Sequence, residues 1–534
     1  MDTSWKKEHR LKEIVDVLGR LGRAWESGSL ACDLRITASI ESPTYPSLSP
    51  HATMKATPVD EIPKIRAALR ENFRKGITRP LSWRRHQLLQ LARMMQENAD
   101  ALAESLALDL GRPRMEAYFA EVGAVMDRAI ICAQKLEEWT KPESVDVPDW
   151  QKSWSPTIHK ASKGTVLIIS PWNYPLILTL QPLYGAISAG CCAVIKPSEL
   201  AANYAALLAQ LVPKYLDHST YRVVLGAVPE TTKLLELQWD HIFYTGNGRI
   251  ARIIATAAAK HLTPLTLELG GKSPVIVDGT FDIGLAAKRI LWGKINNAGQ
   301  ICVAPDHVLV LREKQEELAA AFKAAYDLFY PEGALNSTSI SRIVSDAHFE
   351  RLKGLLERTK GEIVFGGKTN VKRGFEPTIV KNVAEGDSLL EEEIFGPILP
   401  LVPVDSVQEA IEFVNSRDHP LVLYVFTEDP KTKKAIIEET MSGNLVFNDT
   451  FQQLSVNELP FGGVGESGYG RQVLKYSYEN FTYDRACIDV PKSAEPTLEL
   501  RYPPYTEEKL AFFSAPLKAQ IPELSLVNGN GTTH

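Results

Sequence analysis

The chain has 534 residues, 44% of them hydrophobic and 23% charged, so it can bury a large core and form two or three domains. Its net charge of −6 excludes a general electrostatic attraction to nucleic acid or anionic membranes. Six scattered cysteines without a C-x-x-C pair argue against a disulfide framework or a zinc site and indicate an intracellular, cytoplasmic protein.

The N-terminal segment differs in composition from the rest of the chain. Lys6 to Trp25 has the pattern of a short amphipathic helix, and Thr37 to Pro58 is rich in Ser, Thr and Pro, which is typical of a linker. Residues 1–58 are therefore interpreted as an extension that is expected to be disordered. One hypothesis is that the native chain begins at Met54, directly before a helical pattern.

Hydrophobic spacing predicts helices first and then an alternation of strands and helices. Apolar residues recur at helical spacing from Ile62 to Trp139, and a polar stretch from Lys141 to His159 ends that pattern. Short apolar runs then predict strands at Thr165–Ile169, Cys192–Ile195, Arg222–Leu225, His241–Tyr244 and Leu265–Glu268. The segments between them predict helices at Leu176–Ala189, Glu199–Leu211 (with Ser198 as N-cap), Thr231–Leu237 and Ile250–Lys260.

This alternation predicts the fold class. Strands that are apolar throughout and separated by helices are typical of a parallel sheet covered on both faces, as in dinucleotide-binding domains. The same rhythm resumes after Gly271 and continues to about Leu445, which predicts a second α/β domain.

Two residues stand out as candidates for chemistry. Cys302 lies in a predicted loop after Gly299, where a nucleophile would have access and a lowered pKa, although a lone cysteine is more often a buried apolar residue. Glu268 is a carboxylate at the end of an apolar strand, which is costly unless it is paired or useful. It would face a ligand crevice there, or it would cap the following glycine turn.

A third candidate is a turn that follows a strand and opens a helix. The amides of Gly246, Asn247 and Gly248 could hold a pyrophosphate there, although a single Gly-x-Gly also occurs in many other turns. Spacing alone therefore gives a nucleotide-binding α/β protein with one candidate thiol.

Five motifs resemble the aldehyde dehydrogenase superfamily in order and separation, over roughly Val59 to Tyr505. They are Pro171–Asn173, Lys196–Glu199, Leu267–Lys272, Gly299–Cys302 and Glu393–Pro397. Further segments resemble the class 3 and fatty aldehyde dehydrogenase branch, among them Val228–Thr232, Ala257–Pro264, Pro460–Gly465 and Arg501–Tyr505. That branch favours medium to long, apolar or aromatic aldehydes and forms dimers.

The resemblance implies an α/β fold with a dinucleotide-binding parallel-sheet domain, a second α/β catalytic domain and a small β oligomerisation arm. The implied boundaries are 59–140 and 161–271 for the NAD(P)-binding domain, 272–445 for the catalytic domain, 141–160 and 484–505 for oligomerisation strands, and 506–534 for a flexible tail. That tail is too short and polar for a spanning anchor, so at most a weak peripheral association with membranes is expected.

The resemblance also implies a mechanism. The Cys302 thiolate attacks the aldehyde carbon, and the Asn173 side chain and the Cys302 N–H hold the oxyanion. Glu268 then acts as general base on the water that hydrolyses the thioester.

The implied cofactor is NAD or NADP, and the resemblance implies no metal. Lys196 and Glu199 are expected at the adenosine ribose, Glu393 at the nicotinamide ribose, and Phe395 near the ring. The full set of expected cofactor residues is Trp172, Lys196, Glu199, Gly246, Asn247, Gly248, Ile250, Ala251, Leu269, Glu393 and Phe395. Glu199 argues for NAD and Arg249 for a 2′-phosphate, so the preference stays open.

The expected substrate is a long apolar aldehyde, either a fatty aldehyde or an isoprenoid or apocarotenoid one, since fungal enzymes that oxidise an apocarotenal resemble this branch. Asn457 stands where the class 3 pattern often has a histidine near the substrate entrance. The alternatives are an acylating enzyme that transfers the thioester to coenzyme A and a non-catalytic, crystallin-like relative. Both tend to lack residues that this chain keeps.

Overall fold

The computed structural model describes residues 55–522. The predicted helix from Lys6 to Trp25, most of the predicted linker and the proposed start at Met54 lie outside the described residues. The predicted helical region is confirmed, and it consists of Glu61–Lys75, Leu81–Glu97, Ala99–Leu110, Arg114–Ala117 and Gly123–Thr140, with a π-helical turn at Tyr118–Val122.

A six-stranded sheet confirms the predicted parallel architecture. Its strands lie in the order Gly468–Tyr469, Leu265–Leu269, His241–Gly246, Thr165–Ile169, Cys192–Lys196 and Tyr221–Val223. All neighbours are parallel except the first pair, which is antiparallel. The helices between these strands are Ile177–Ala189, Ala202–Tyr215, Val228–Glu236 and Gly248–Ala259. Because helices cover the sheet, apolar strands without polar alternation are stable here.

One predicted helix start is wrong. The helix expected from Glu199, with Ser198 as its N-cap, begins at Ala202. Its first N–H groups are accepted by a remote carboxylate, since Asp109 bonds the backbone N–H of Asn203 at 3.1 Å and of Tyr204 at 3.0 Å. The cap therefore comes from a residue almost a hundred positions away, which local sequence cannot reveal.

A seven-stranded sheet forms the predicted second α/β unit. Its strands lie in the order Glu362–Phe365, Thr378–Lys381, Ile398–Val404, His307–Leu311, Pro274–Val277, Val422–Phe426 and Asn444–Phe447, and only the first pair is antiparallel. The main helices around it are Ile283–Ile295, Gln315–Phe329, Asp346–Arg358, Val407–Asn415 and Pro430–Glu439. Each of the two large sheets packs on its own apolar core.

A small antiparallel sheet joins distant parts of the chain. Thr157–Ser162 pairs with Glu143–Ser144 on one side and with Thr482–Cys487 on the other. The second segment predicted as oligomerisation strand, 484–505, is strand only as far as Cys487, and short helical turns follow it. The predicted tail contains the helix Glu507–Ser514. Within residues 55–522, no helix is long and apolar enough to span a bilayer.

Candidate active site

Cys302 follows a buried turn at the end of the helix Ile283–Ile295. Asn297, Ala298 and Gly299 all have positive φ in this turn. A Cβ atom on Gly299 would lie 2.2 Å from the carbonyl oxygen of Gly396, so only glycine allows these two loops to approach each other. Cys302 is partly exposed, whereas Cys132, Cys191 and Cys192 are buried.

Amide side chains tie this loop to the loop that carries Asn173. Asn173 donates from Nδ2 to the carbonyl of Gln300 at 3.1 Å. Asn297 donates from Nδ2 to the carbonyl of Asn173 at 2.9 Å. These contacts hold the Asn173 side chain next to the thiol loop and leave its second N–H group for another acceptor.

A buried ion pair supports the same loop from behind. The guanidinium of Arg112 donates to Glu121 and to the carbonyl of Asn173, and it lies 4.1 Å from the ring centre of Tyr174. The other carboxylate oxygen of Glu121 accepts from the backbone N–H groups of Leu176 and Ile177, at the start of a helix. This pair fixes the position of Asn173.

Glu268 lies at the carboxyl end of its strand and faces Cys302, with 3.7 Å between Oε1 and the Cys302 Sγ. Its Oε2 accepts from Thr245 Oγ1 at 3.1 Å and from Gln472 Nε2 at 2.5 Å. Burial raises the pKa of Glu268 to about 7, and these hydrogen bonds oppose the rise by stabilising the carboxylate. The group can therefore gain and lose a proton near neutral pH.

The expected lowered pKa of Cys302 is wrong for this structure. Burial and the carboxylates of Glu268 and Glu393 raise the pKa of the thiol well above its ordinary value, because a thiolate would be desolvated and near two like charges. The Cys302 thiol instead donates towards Glu268. Its activation therefore depends on a base within reach.

Two cavities meet at these residues. Asn173, Leu178, Glu268 and Cys302 line both of them. The first, of about 430 Å³, has a mainly apolar wall that includes Phe119, Ile177, Trp292, Ile301, Val303, Phe451, Leu454, Phe461 and Val473. The second, of about 760 Å³, extends along the carboxyl ends of the strands in the six-stranded sheet. An aldehyde and a cofactor could therefore reach the thiol from different sides.

The larger cleft contains most of the predicted cofactor residues. Those that line it are Trp172, Lys196, Glu199, Gly246, Asn247, Ile250, Leu269, Glu393 and Phe395. Gly248 and Ala251 do not line it, and Ala251 is buried in the core instead. Arg249, His348 and Arg351 also line the cleft. Sequence patterns could not single out His348 or Arg351, which belong to a helix beside the other sheet.

The cleft fits a dinucleotide. The helix Gly248–Ala259 begins beside it, and Asn247 caps that helix by accepting from the backbone N–H of Ile250 at 3.0 Å, so positively polarised backbone groups lie at the cleft. Lys196 lies 3.5 Å from Glu199 and is almost fully buried. Together these groups offer donors for phosphates and acceptors for ribose hydroxyls.

The residues on the far side of the cleft are also held in place by the surrounding structure. Burial raises the pKa of Glu393 to about 8. Lys272 bonds Asp306 and the carbonyl of Glu392, which fixes the loop before Phe395. Phe395 has a positive φ of 48° and packs edge-to-face on Trp172 at 5.5 Å. Within residues 55–522, no three His, Cys, Asp or Glu side chains are grouped to hold a metal ion.

Comparison with known proteins agrees with this geometry. The Aldehyde dehydrogenase family model matches residues 38–487. The chain is 44% identical to aldehyde dehydrogenase family 3 member A2 of Rattus norvegicus, over 83% of this chain and 92% of the relative. It is also 44% identical to the dimeric NADP-preferring aldehyde dehydrogenase of Canis lupus familiaris, over 84% of this chain and 98% of the relative.

Solved structures agree as well. The fold is similar to that of AldH from Staphylococcus aureus in its substrate-bound state, with a TM-score of 0.83 and 39% identity over 86% of this chain and 99% of that one. Over the matched length, the sequence, the fold and the residues around Cys302 all indicate the same protein family. The chain belongs to the aldehyde dehydrogenase family.

Proposed function

We propose that this NAD(P)-dependent aldehyde dehydrogenase oxidises a long apolar aldehyde to its carboxylic acid through a thioester on Cys302. The observation that carries the proposal is the junction of the two cavities, where the Cys302 Sγ lies 3.7 Å from Glu268 Oε1 and beside Asn173. A nucleophile, a base and an oxyanion donor within one small volume are what acyl transfer requires.

The first step is attack by sulfur on the aldehyde carbon. The Glu268 carboxylate accepts the thiol proton as the carbon–sulfur bond forms, because the thiol alone ionises poorly in this site. The second N–H of the Asn173 side chain, which has no acceptor among residues 55–522, and the backbone N–H of Cys302 stabilise the oxyanion. The bound nicotinamide supplies the chemistry of a hydride acceptor.

The second step is hydrolysis of the thioester. Glu268 first releases the thiol proton to solvent. It then takes a proton from the attacking water, and the carbon–sulfur bond breaks as Glu268 gives that proton to sulfur and restores the Cys302 thiol. A carboxyl group with a pKa of about 7 suits this role, since it can both accept and release a proton near neutral pH. Over the whole cycle an aldehyde, water and the oxidised cofactor give an acid, the reduced cofactor and a proton.

The cofactor is NAD or NADP. We assign Lys196 and Glu199 to the adenosine ribose, the amides after Gly246 to the pyrophosphate, and Glu393 to the nicotinamide ribose. Glu199 and Arg249 both line the cleft with opposite charges, so both dinucleotides remain candidates. The dog relative is named as NADP-preferring.

The apolar wall of the smaller cavity supports an apolar substrate. Aromatic and aliphatic side chains surround the path to Cys302, which favours a fatty aldehyde or an isoprenoid or apocarotenoid aldehyde over a small polar one. The test is a screen of purified enzyme with aldehydes of increasing chain length and conjugation, using both dinucleotides. A preference for short hydrophilic aldehydes would contradict the substrate assignment.

Replacing Cys302 tests the nucleophile. We expect Cys302→Ala to lower turnover by at least about a thousandfold while dinucleotide binding is retained, because only the covalent step is lost. Cys192→Ala is the matched control, since Cys192 is buried in a strand of the six-stranded sheet. Steady-state rates and cofactor binding by fluorescence separate the two effects. Equal losses in both variants would refute the assignment.

Replacing Glu268 tests the base. We expect Glu268→Gln to release at most about one equivalent of reduced cofactor per active site, more slowly than wild type, and then stall, because the amide can accept neither the thiol proton nor the proton of the hydrolytic water. Stopped-flow absorbance measures the burst, and mass spectrometry detects the acyl-enzyme. Steady turnover at the wild-type rate would mean that another group activates the water.

We also propose that the protein forms a homodimer. In the part of the chain that the structure describes, the strand Thr482–Cys487 of the small antiparallel sheet pairs on one side only, and exposed apolar side chains lie beside it. The dog relative is named as dimeric.

A further inference from the structure

Gln472 contacts Glu268 from a segment to which the mechanism above assigns no role. Its side chain is almost fully buried, and its Nε2 donates to Glu268 Oε2 at 2.5 Å. Its Oε1 has no hydrogen-bond partner among the described residues. A buried amide oxygen without a partner costs free energy. The Gln472 side chain therefore points its NH₂ group at Glu268 although its Oε1 loses a hydrogen bond.

The backbone around Gln472 is held firmly. Gln472 and Phe461 exchange two backbone hydrogen bonds, at 2.7 and 3.1 Å. The next two residues, Val473 and Leu474, have φ of 86° and 44°, which non-glycine residues rarely adopt, a β-branched valine least of all. The backbone N–H of Val473 bonds the Ser477 hydroxyl at 3.0 Å and fixes this turn.

Such strain persists only where the surroundings determine the conformation, and it is concentrated at functional sites. Here the strained turn follows directly after the residue that bonds Glu268. Together with the two backbone hydrogen bonds to Phe461, this fixed turn holds the Gln472 backbone in place beside Glu268.

We propose that Gln472 is a positioning residue for Glu268, and that its amide orients the carboxyl group in both protonation states. The proposal rests on the proposed function, in which Glu268 is the base. The amide NH₂ donates to the carboxylate before proton transfer. After Glu268 gains a proton, rotation of the amide about its last torsion presents Oε1 to the carboxyl O–H. A group that can donate and accept matches a carboxyl group that cycles between two states.

The groups that face Glu268 make the expected pH effect specific. Cys302 is its titratable neighbour, Thr245 and Gln472 are neutral donors, and Glu393 acts on the Cys302 thiol. The hydrogen bond from Gln472 lowers the pKa of Glu268. Without that donor the carboxylate is less stable, so Glu268 becomes a base only at higher pH.

The experiment compares Gln472→Met with wild type in the full-length enzyme, with the steady-state turnover measured from pH 5.5 to 9.5. We expect the acid limb to move up by about one pH unit, the effect of one hydrogen bond to a charged group. Turnover should fall about tenfold at pH 6 and recover above pH 8.5. Gln315→Met is the matched control, because the Gln315 amide is also buried but bonds only the neutral Asn382, and its pH profile should match wild type.

A second variant keeps the proposal testable if Gln472→Met folds poorly. Gln472→Glu keeps the shape of the side chain but adds a like charge, so the acid limb should move further in the same direction. An equal loss of turnover at every pH in both variants would overturn the proposal, as would unchanged profiles. Glu268→Gln is measured in parallel: if it turns over normally, the base assignment itself fails, whereas a stalled Glu268→Gln with unshifted Gln472 variants rejects only the positioning role.

Discussion

At the scale of single residues, the Glu268 carboxyl group experiences two opposing effects. Burial disfavours its charged form, while donors from Thr245 and Gln472 favour it, and the result is a pKa of about 7. A carboxyl group on the surface would be ionised throughout the neutral range and would be a weaker base. The site therefore raises the pKa of Glu268 by excluding water, and the two hydrogen bonds offset part of that rise.

This balance predicts the pH dependence of turnover. The base must be ionised to accept a proton, so we expect the rate of hydrolysis to fall as the pH drops through about 7, by about tenfold for each unit below it. Thr245→Val removes one donor and should move the limb to higher pH. Turnover measured under saturating substrate and cofactor provides the test. A rate that stays constant down to pH 5.5 would contradict this reading of Glu268.

Sequence reasoning identified Cys302, Glu268 and Asn173 because they lie within motifs, and the structure brings the three together. It could not identify Gln472, because that residue contacts Glu268 across 204 positions of sequence. The roles of Arg112 and Asn297 could not be predicted for the same reason, since their contacts with the Asn173 carbonyl join separate parts of the chain. It also misjudged the Cys302 thiol, whose pKa depends on carboxylates that only the fold brings near.

At the scale of elements, the Arg128 side chain joins three segments that line the smaller cavity. Arg128, on the helix Gly123–Thr140, donates to Asn457 Oδ1 at 3.0 Å, to the carbonyl of Leu454 at 2.6 Å and to Gln181 Oε1 at 2.5 Å. All three of these acceptors are neutral groups. Its role is therefore to hold the loop 451–457 against two helices. Asn457, the departure noted in the sequence, is one of its acceptors.

Removing the hydrogen bonds between Arg128 and the loop 451–457 should weaken substrate binding. We expect Arg128→Met to lower kcat/KM by roughly 10- to 100-fold, mainly through KM, because the loop that forms the cavity wall is no longer held in place. Arg85→Met is the matched control, since Arg85 bonds Glu137 and the carbonyl of Ala133 and does not line the cavity. Kinetics with one aldehyde provide the comparison. An unchanged KM would show that the loop keeps its position without Arg128.

Element boundaries show the limits of local pattern. Five of the six strands of the six-stranded sheet were predictable within a few residues, because short continuous apolar runs are typical of buried strands. The start of the helix Ala202–Tyr215 was not, because Asp109 supplies its cap from a separate helix. Likewise, the strand Gly468–Tyr469 is only two residues long, yet its pairing with Leu267 and Glu268 places the chain before Gln472 beside the base.

At the scale of the whole molecule, the small sheet connects residues more than 300 positions apart. Thr157–Ser162 and Thr482–Cys487 pair along their full length. Neither segment alternates clearly between apolar and polar residues, so sequence pattern predicted its location less well than that of the buried sheets. Among residues 55–522, its outer strand, Thr482–Cys487, has a partner on one side only, and an unpaired edge is a surface on which another chain can add.

The surface next to this edge has the composition of an interface. Tyr483, Ile488 and Val490 are 67%, 55% and 45% exposed, and Trp150 is 59% exposed. Large apolar side chains in such a group are costly in water unless a second surface covers them. A second copy of the chain is the partner we propose, and the edge strand would align the two copies about a two-fold axis.

This proposal predicts the mass of the protein in solution. We expect wild type to elute as a dimer, with twice the 59.2 kDa mass of one chain, in size-exclusion chromatography with light scattering. The double variant Tyr483→Asp and Ile488→Asp should be monomeric at low micromolar concentration, because two buried, unpaired carboxylates would oppose association strongly. Val371→Asp is the control, since Val371 is fully exposed in a loop away from this sheet. Circular dichroism verifies that both variants fold, and a folded double variant that remains dimeric would assign the interface to another surface.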